Sequence, residues 1–136
     1  MKKVFLDTNV ILDFVTQRDG YEYACDIFQA GEDQKASLCV SFLTMANTAY
    51  VARKGRTQDE LYGVMAGLSE IVDTLTMDDY QLKYALNIRA NDFEDVLQYS
   101  CARHHQCDLI VTNNVKHFKF SEIDVLTPKD FLDVIC

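Results

Sequence analysis

Two rhythms of apolar and polar positions alternate along the chain. Lys3-Val4-Phe5-Leu6 is a short β-prone run that ends at Asp7-Thr8-Asn9. Val10, Ile11, Leu12, Phe14 and Val15 then recur at helical spacing, which predicts strand, turn, helix. Tyr23, Ala24, Ile27 and Phe28 predict a second helix from Tyr21 to Ala30, stopped near Gly31. Ala36 to Ser41 reads as a strand, and Leu43 to Lys54 as a helix with Arg53-Lys54-Gly55 as its cationic stop. Thr57 and Glu60 have capping-box spacing and open a helix to about Leu68, followed by a short strand from Glu70 to Leu75. Thr76 with Asp78-Asp79 starts a helix that runs to about Arg89. Asn91 or Asp92 caps the next, through Gln106. Asp108 to Thr112 and Asp124 to Leu126 are the last strands, and Pro128 sits in the first turn of a C-terminal helix.

Strands that alternate with helices call for a parallel sheet covered on both faces. The expected fold class is α/β, a three-layer α/β/α arrangement around a mostly parallel sheet of about five short strands. No linker, repeat or long charge block divides the 136 residues, so residues 1–136 are expected to form a single domain.

The chain is 49% hydrophobic and 25% charged, enough to bury a core, which argues against disorder. Its apolar runs fall far short of the roughly 20 residues of a membrane helix. Met1-Lys2-Lys3 leads through Val4-Phe5-Leu6 to Asp7, too short for a signal-peptide core, and a cytoplasmic location is expected. The net charge of −8 argues against a broad nucleic-acid coat. It is compatible with an enzyme that handles a phosphate chain through bound cations, and equally with a well-solvated surface. The five cysteines form no CxxC pair and read as free, mostly buried thiols. Only Cys101, His104, His105 and Cys107 cluster, and on a helix the two histidines point about 100° apart, so zinc is not expected there.

In an open parallel sheet, ligands bind outside the carboxyl ends of the strands. The polar residues that follow strands are Asp7-Thr8-Asn9, Ser41 with Thr44 and Asn47 beyond it, and Thr112-Asn113-Asn114. Asp92, Glu94 and Asp95 open the helix before the fourth strand. Asp7 suits either a helix cap or a ligand. Asp92 and Asp95, three apart, share a helix face and repel one another. A solvated helix N-terminus tolerates that pair, and so does a hard divalent cation between the carboxylates. Their joint placement with Asp7 at one sheet edge favours the metal.

Val4-Phe5-Leu6-Asp7-Thr8-Asn9-Val10-Ile11-Leu12-Asp13 resembles the opening motif of PIN-domain proteins. Asp92-Phe93-Glu94-Asp95-Val96-Leu97-Gln98-Tyr99 resembles their central acidic helix, and Asp108 to Asn114 followed by Phe118 their fourth-strand motif. In order and spacing the chain is similar to the VapC-type toxin ribonucleases of toxin–antitoxin pairs. The resemblance implies a Mg²⁺- or Mn²⁺-dependent endoribonuclease acting on single-stranded or loop RNA, with an antitoxin protein as partner and a homodimeric assembly.

Residue by residue, Asp7 matches the family's first acid and Asp95 its third, with Asp92 as an accessory acid. Asn47 stands where the second acid, usually Glu, is expected. Asn114 stands at the fourth place with Asn113 beside it, its amide oxygen a neutral ligand and no general base. Thr8 and Thr112 are expected as hydroxyl donors in the same pocket, with Asn9 nearby. Asp13 reads first as a helix-surface or supporting residue and second as a ligand. The mechanism implied is metal-assisted hydrolysis: Asp7 and Asp95 hold the ion, and Asp92 orients the nucleophilic water. Arg53, Lys54, Arg56, Lys116, His117 and Lys119 are the candidates for steering RNA, against an ordinary role as surface charge.

The amides at Asn47 and Asn114 leave open a catalytically weakened PIN-fold protein that serves as a binding module. A haloacid-dehalogenase-like phosphatase also begins with strand then Asp. It needs a second Asp two residues on, where this chain has Asn9.

Overall fold

A computed structural model describes residues 1–135; the thiol expectation for Cys136 therefore lies outside the described residues. The elements in chain order are β1 (Lys3–Leu6), α1 (Thr8–Val15), α2 (Tyr21–Glu32), β2 (Ser37–Ser41), α3 (Phe42–Ala52), α4 (Gln58–Ile71) and β3 (Asp73–Leu75). There follow α5 (Asp79–Ile88), α6 (Phe93–His104), β4 (Leu109–Val111), a 3-10 turn (Val115–Phe118), β5 (Asp124–Leu126) and α7 (Pro128–Ile135). The five strands form one sheet in the order β3-β2-β1-β4-β5, and every neighbouring pair is parallel. The expected α/β/α architecture is present, with the sheet parallel throughout rather than mostly.

The strand side chains divide between the two faces by the two-residue period of a pleated strand. Val4, Leu6, Leu38, Val40, Leu109 and Val111 join one core with Val10, Ile11 and Ile27 from α1 and α2, Leu68 from α4 and Phe131 from α7. Phe5, Cys39 and Ile110 face the other way and pack with Tyr99, Cys101 and Ala102 of α6. Both faces are covered, so the strands are apolar at successive positions, as buried parallel strands must be. Cys39, Cys101 and Cys107 are free and buried, and Cys25 is free and half-buried. No helix among the described residues is long and apolar enough to cross a membrane.

α2 ends at Glu32, near Gly31 as expected, and Gly31 itself lies in the last turn, where a Cβ would meet Leu38 Cδ1 at 2.5 Å, so glycine there permits close helix–sheet approach. Several expected boundaries move, each for a physical reason. Glu70 and Ile71 continue α4 instead of beginning β3, because the apolar series Leu61, Val64, Leu68, Ile71 keeps its helical face against the core. Gln106 lies beyond α6 with φ 60°, a left-handed turn that redirects the chain into β4. Asp108 precedes β4 rather than joining it, and its carboxylate accepts from the Lys3 backbone N–H at 2.8 Å.

The order 3-2-1-4-5 puts the topological switch at β1 and β4, at whose carboxyl edge the ligand crevice of such a sheet is expected. Asp7 and Thr112 directly follow β1 and β4 at that edge, and Ser41, expected just after the second strand, is the last residue of β2 there.

Candidate active site

Asp7 is 4% exposed and serves as the N-cap of α1. One carboxylate oxygen accepts from the Thr8 backbone N–H at 2.8 Å; the other accepts from Thr112 Oγ1 at 2.8 Å and Asn9 Nδ2 at 3.2 Å. The cap and ligand readings of Asp7 are therefore not exclusive: the cap orients the carboxylate. Burial raises its pKa against the lowering effect of the Thr112 and Thr8 hydrogen bonds, and the charge of Asp92 raises it further.

Asp92 caps α6 by accepting from the Asp95 backbone N–H at 3.2 Å. Asp95, in the first turn, lies against His117 Nδ1 at 3.2 Å. Burial, and then the charges of Asp7 and Asp92, push the Asp95 carboxyl up to about 6, while His117 pulls it the other way. Glu94 in the same turn is raised by burial and then by Asp7 and Asp92. The charges of Asp7 and Asp92 thus reach Glu94 and Asp95, and that of Asp92 reaches Asp7.

Asp92, Asp95 and His117 each offer a ligand atom within 4.8 Å of the others, the one such trio among the described residues. Carboxylate oxygens with a single imidazole suit a hard or borderline divalent ion such as Mg²⁺ or Mn²⁺. Carboxylates held this close, and in part buried, are a site short of positive charge. On both counts the residues fit a divalent metal: Asp92, Asp95 and His117 are the groups whose ligand atoms lie together, and Asp7 acts on Asp95 through its charge.

A buried network lies under this cluster. Gln98, 0% exposed and one turn beyond Asp95, accepts from Ser41 Oγ at 2.6 Å. It donates to Thr8 Oγ1 at 3.0 Å and Thr44 Oγ1 at 2.8 Å, and those two hydroxyls meet at 2.8 Å. It ties the N-terminal turns of α1 and α3 to α6, the helix that carries Asp92 and Asp95.

The remaining expected residues divide. Asn47 on α3 donates to Glu94 Oε1 at 2.9 Å, so the second acid's place is an amide that positions an acid from another helix. Asn9 accepts from the Asn113 backbone N–H at 3.2 Å, and Asn113 Nδ2 donates to Asp13 Oδ2 at 2.7 Å. Asp13 is 8% exposed, which corrects its reading as a helix-surface residue: it is a buried anchor for the segment after β4, with Arg18 at 3.5 Å. Asn114 opens the 3-10 turn, and its backbone N–H donates to Thr112 Oγ1 at 3.0 Å. Lys116 and Lys119 border the cluster in the cleft that Asp92 and His117 also line. Arg53, Lys54 and Arg56 follow the far end of α3, about 16 Å along the helix from its start. Arg56 is committed there to the carbonyls of Ala52 (2.7 Å) and Val15 (3.1 Å), and Arg53 lies over the Tyr50 ring at 4.2 Å.

The whole arrangement from β1 through the turn after β4 coincides with a known family. Residues 3–116 match the family model described as PIN domain. The chain belongs to the PIN domain family. This PIN domain is 28% identical over 141 residues to Ribonuclease VapC1 of Aquifex aeolicus (strain VF5), covering 97% of this chain and 94% of the relative. Its fold is that of a chain in the DNA-bound VapBC structure from Salmonella typhimurium (TM-score 0.73, 20% identity, 94% of this chain and 99% of that one). It also matches a chain of VapBC-1 from nontypeable Haemophilus influenzae (TM-score 0.70, 19% identity, 93% and 98%).

Within the PIN domain, sequence reasoning passed over Glu94 and Gln98 as site residues and took His117 only as a steering charge. Glu94 stood in plain view between Asp92 and Asp95. Gln98 was marked by its polarity among Val96, Leu97 and Tyr99, three residues past Asp95.

Proposed function

We propose that this PIN domain is a divalent-metal-dependent endoribonuclease and the toxin of a toxin–antitoxin pair. The observation that carries the reading is the gathering of Asp92, Asp95 and His117, with ligand atoms within 4.8 Å of one another, beside the buried Asp7 at the switch-point edge of the sheet. The relative's name, a ribonuclease, supports the activity, and the VapBC titles of the structural neighbours support an antitoxin partner and the toxin role.

A bound Mg²⁺ or Mn²⁺ supplies a Lewis-acidic centre that makes water nucleophilic near neutral pH and screens charge on a phosphodiester. Asp7 and Asp95 present the fixed oxygens for it. Thr112, Thr8 and Asn9 hold Asp7 in one rotamer, so its carboxylate need not reorganise. Asp92 at the open rim accepts a proton from, or orients, the attacking water. Lys116 and Lys119 hold the phosphate chain near an otherwise acidic surface. Asn114 adds a neutral amide oxygen. The weakened binding-module reading loses force at Asn47, since Glu94 brings a carboxylate to the place that the amide leaves uncharged.

Asp7→Asn tests the reading. Asn is as good an N-cap as Asp, so the fold should persist. Cleavage of a structured RNA with Mn²⁺ should fall to background while the circular dichroism spectrum stays unchanged. Undiminished cleavage by this variant refutes the assignment. Size-exclusion chromatography of the chain alone and with its antitoxin checks the homodimer and the partner.

A further inference from the structure

A cleft of about 650 Å³ adjoins the acidic cluster; Asp92, Lys116 and Lys119 on its polar side enter the chemistry above, and its apolar side does not. Ile88 and Asn91 line it from the junction of α5 and α6, and Lys116, Lys119 and Phe120 from the 3-10 turn and just beyond. Asp92 and His117 line it as well, and both belong to the metal-capable trio, so the cleft opens directly onto that group.

Its walls are chemically divided. Phe120 is half-buried and fixed by the core, edge-on to Tyr99 at 5.3 Å and tilted against Phe118 at 5.8 Å. Ile88 packs on the same core cluster. These make a rigid apolar wall that needs no rearrangement to receive a flat group. Lys116 and Lys119 are exposed and make no ion pair among the described residues. On a chain with 21 acidic and 13 basic side chains, two neighbouring cations left without acids are available to an external anion. Asn91 is exposed at the rim and carries both a donor and an acceptor.

We propose that this cleft is a nucleotide subsite that selects the residue next to the cleaved bond. The base lies against Ile88 and Phe120, Lys116 and Lys119 hold that nucleotide's phosphate, and Asn91 reads the base edge. The proposal rests on the ribonuclease reading and deepens it. An apolar ligand leaves the lysines unused, and inorganic phosphate leaves Ile88 and Phe120 unused. A nucleotide carries a flat π face and a phosphate a few ångströms apart, and the cleft's volume lies within the range of small-molecule sites. Stacking tolerates every base, so discrimination falls to the amide, whose fixed donor and acceptor match some base edges and not others. Asn91 is then a specificity-determining residue, and the lysines set affinity.

The experiment has a binding arm and a cleavage arm. Metal-free ¹⁵N-labelled protein is titrated with the four ribonucleoside 5′-monophosphates and with ribose 5-phosphate. The amide signals of Asn91 and of residues 116–120 should shift and saturate, at lower concentration for nucleotides than for the sugar phosphate. Lys116→Ala with Lys119→Ala should weaken binding at least tenfold, and Asn91→Ala should change the ranking of the four bases. In the cleavage arm, wild type and Asn91→Ala digest an RNA pool with randomised positions and Mn²⁺. The variant should alter base preference at one position beside the cut. Cleavage by wild type with no response of the cleft amides, equal affinity for nucleotides and ribose 5-phosphate, or an unchanged preference in Asn91→Ala each overturns the subsite alone. Nucleotide binding in the cleft without any RNA cleavage overturns the ribonuclease reading instead.

Discussion

Replacing Gln98 with Leu removes the side chain through which α6 joins the buried network with α1 and α3. Leu matches Gln roughly in size, so no large cavity opens and the loss is polar. Gln98 is 0% exposed and makes bonds of 2.6, 2.8 and 3.0 Å to Ser41, Thr44 and Thr8. After the change, Ser41 Oγ can still donate to Thr44 Oγ1 at 3.3 Å, and Thr44 and Thr8 keep their mutual bond at 2.8 Å. A hydroxyl proton at the end of that chain, on Thr8, is left with no acceptor. Three bonds at about 1 kcal/mol each, plus about 1–3 kcal/mol for an orphaned buried donor, are offset in part by the better burial of Leu. The expected net cost is about 3 kcal/mol. With a urea m-value of about 1.5 kcal/mol/M, the unfolding midpoint should fall by about 2 M. A double-mutant cycle with Thr44→Val should show a coupling of about 1 kcal/mol or more, because the two side chains share one network. A loss below about 1 kcal/mol for Gln98→Leu, or strict additivity with Thr44→Val, refutes the claim that this network holds α1, α3 and α6 in register.

Three further outcomes follow from the same geometry. Asp95 keeps its proton in the folded protein up to about 6 against an ordinary value of 3.8, so its contribution to metal-free stability is full below pH 3.8 and is lost as pH rises through 6. A divalent metal needs the ionised form, so the thermal shift produced by Mn²⁺ should be large at pH 7.5 and should shrink as pH falls through 6; a shift independent of pH counts against Asp95 as a ligand. Asn47→Glu replaces a donor that lies 2.9 Å from Glu94 with a second carboxylate, so it should destabilise the metal-free protein and tighten Mn²⁺ binding by calorimetry; unimproved binding places residue 47 outside the metal's reach. Gly31→Ala drives a methyl to 2.5 Å from Leu38 Cδ1 and should cost about 1–3 kcal/mol in urea unfolding with RNA cleavage per folded molecule unchanged.

Much of this protein can be read from local pattern. The run Val4-Phe5-Leu6 before Asp7 is at once a buried strand and the approach to the site, and hydrophobic period with cap chemistry is enough to place it. The capping box at Thr57 and Glu60 and the proline opening α7 are equally local. What escaped depends on contacts far apart in sequence. Gln98 and Thr8 are 90 positions apart, and Asn47 and Glu94 are 47 apart. A polar residue on an otherwise apolar helix face announces a buried bond but not its partner. Asp13 looked like surface because its partner, Asn113, lies 100 residues on. Gly31 has a helix-stopping composition and a packing role that only Leu38 reveals.

Three helices begin at the acidic cluster, α1 capped by Asp7, α3 by Ser41 and α6 by Asp92, and their far ends point away from it. Each helix start carries roughly half a positive elementary charge, concentrated in its first turn, where Asp7, Asp92, Glu94 and Asp95 sit. The peptide backbone itself thus supplies a standing counter-field to the carboxylates. At the opposite pole, Arg56 collects the negative ends of α1 and α3 through Val15 and Ala52. On the proposed reading, a divalent ion would therefore meet carboxylates that the fold has already placed and partly compensated, rather than having to gather them itself.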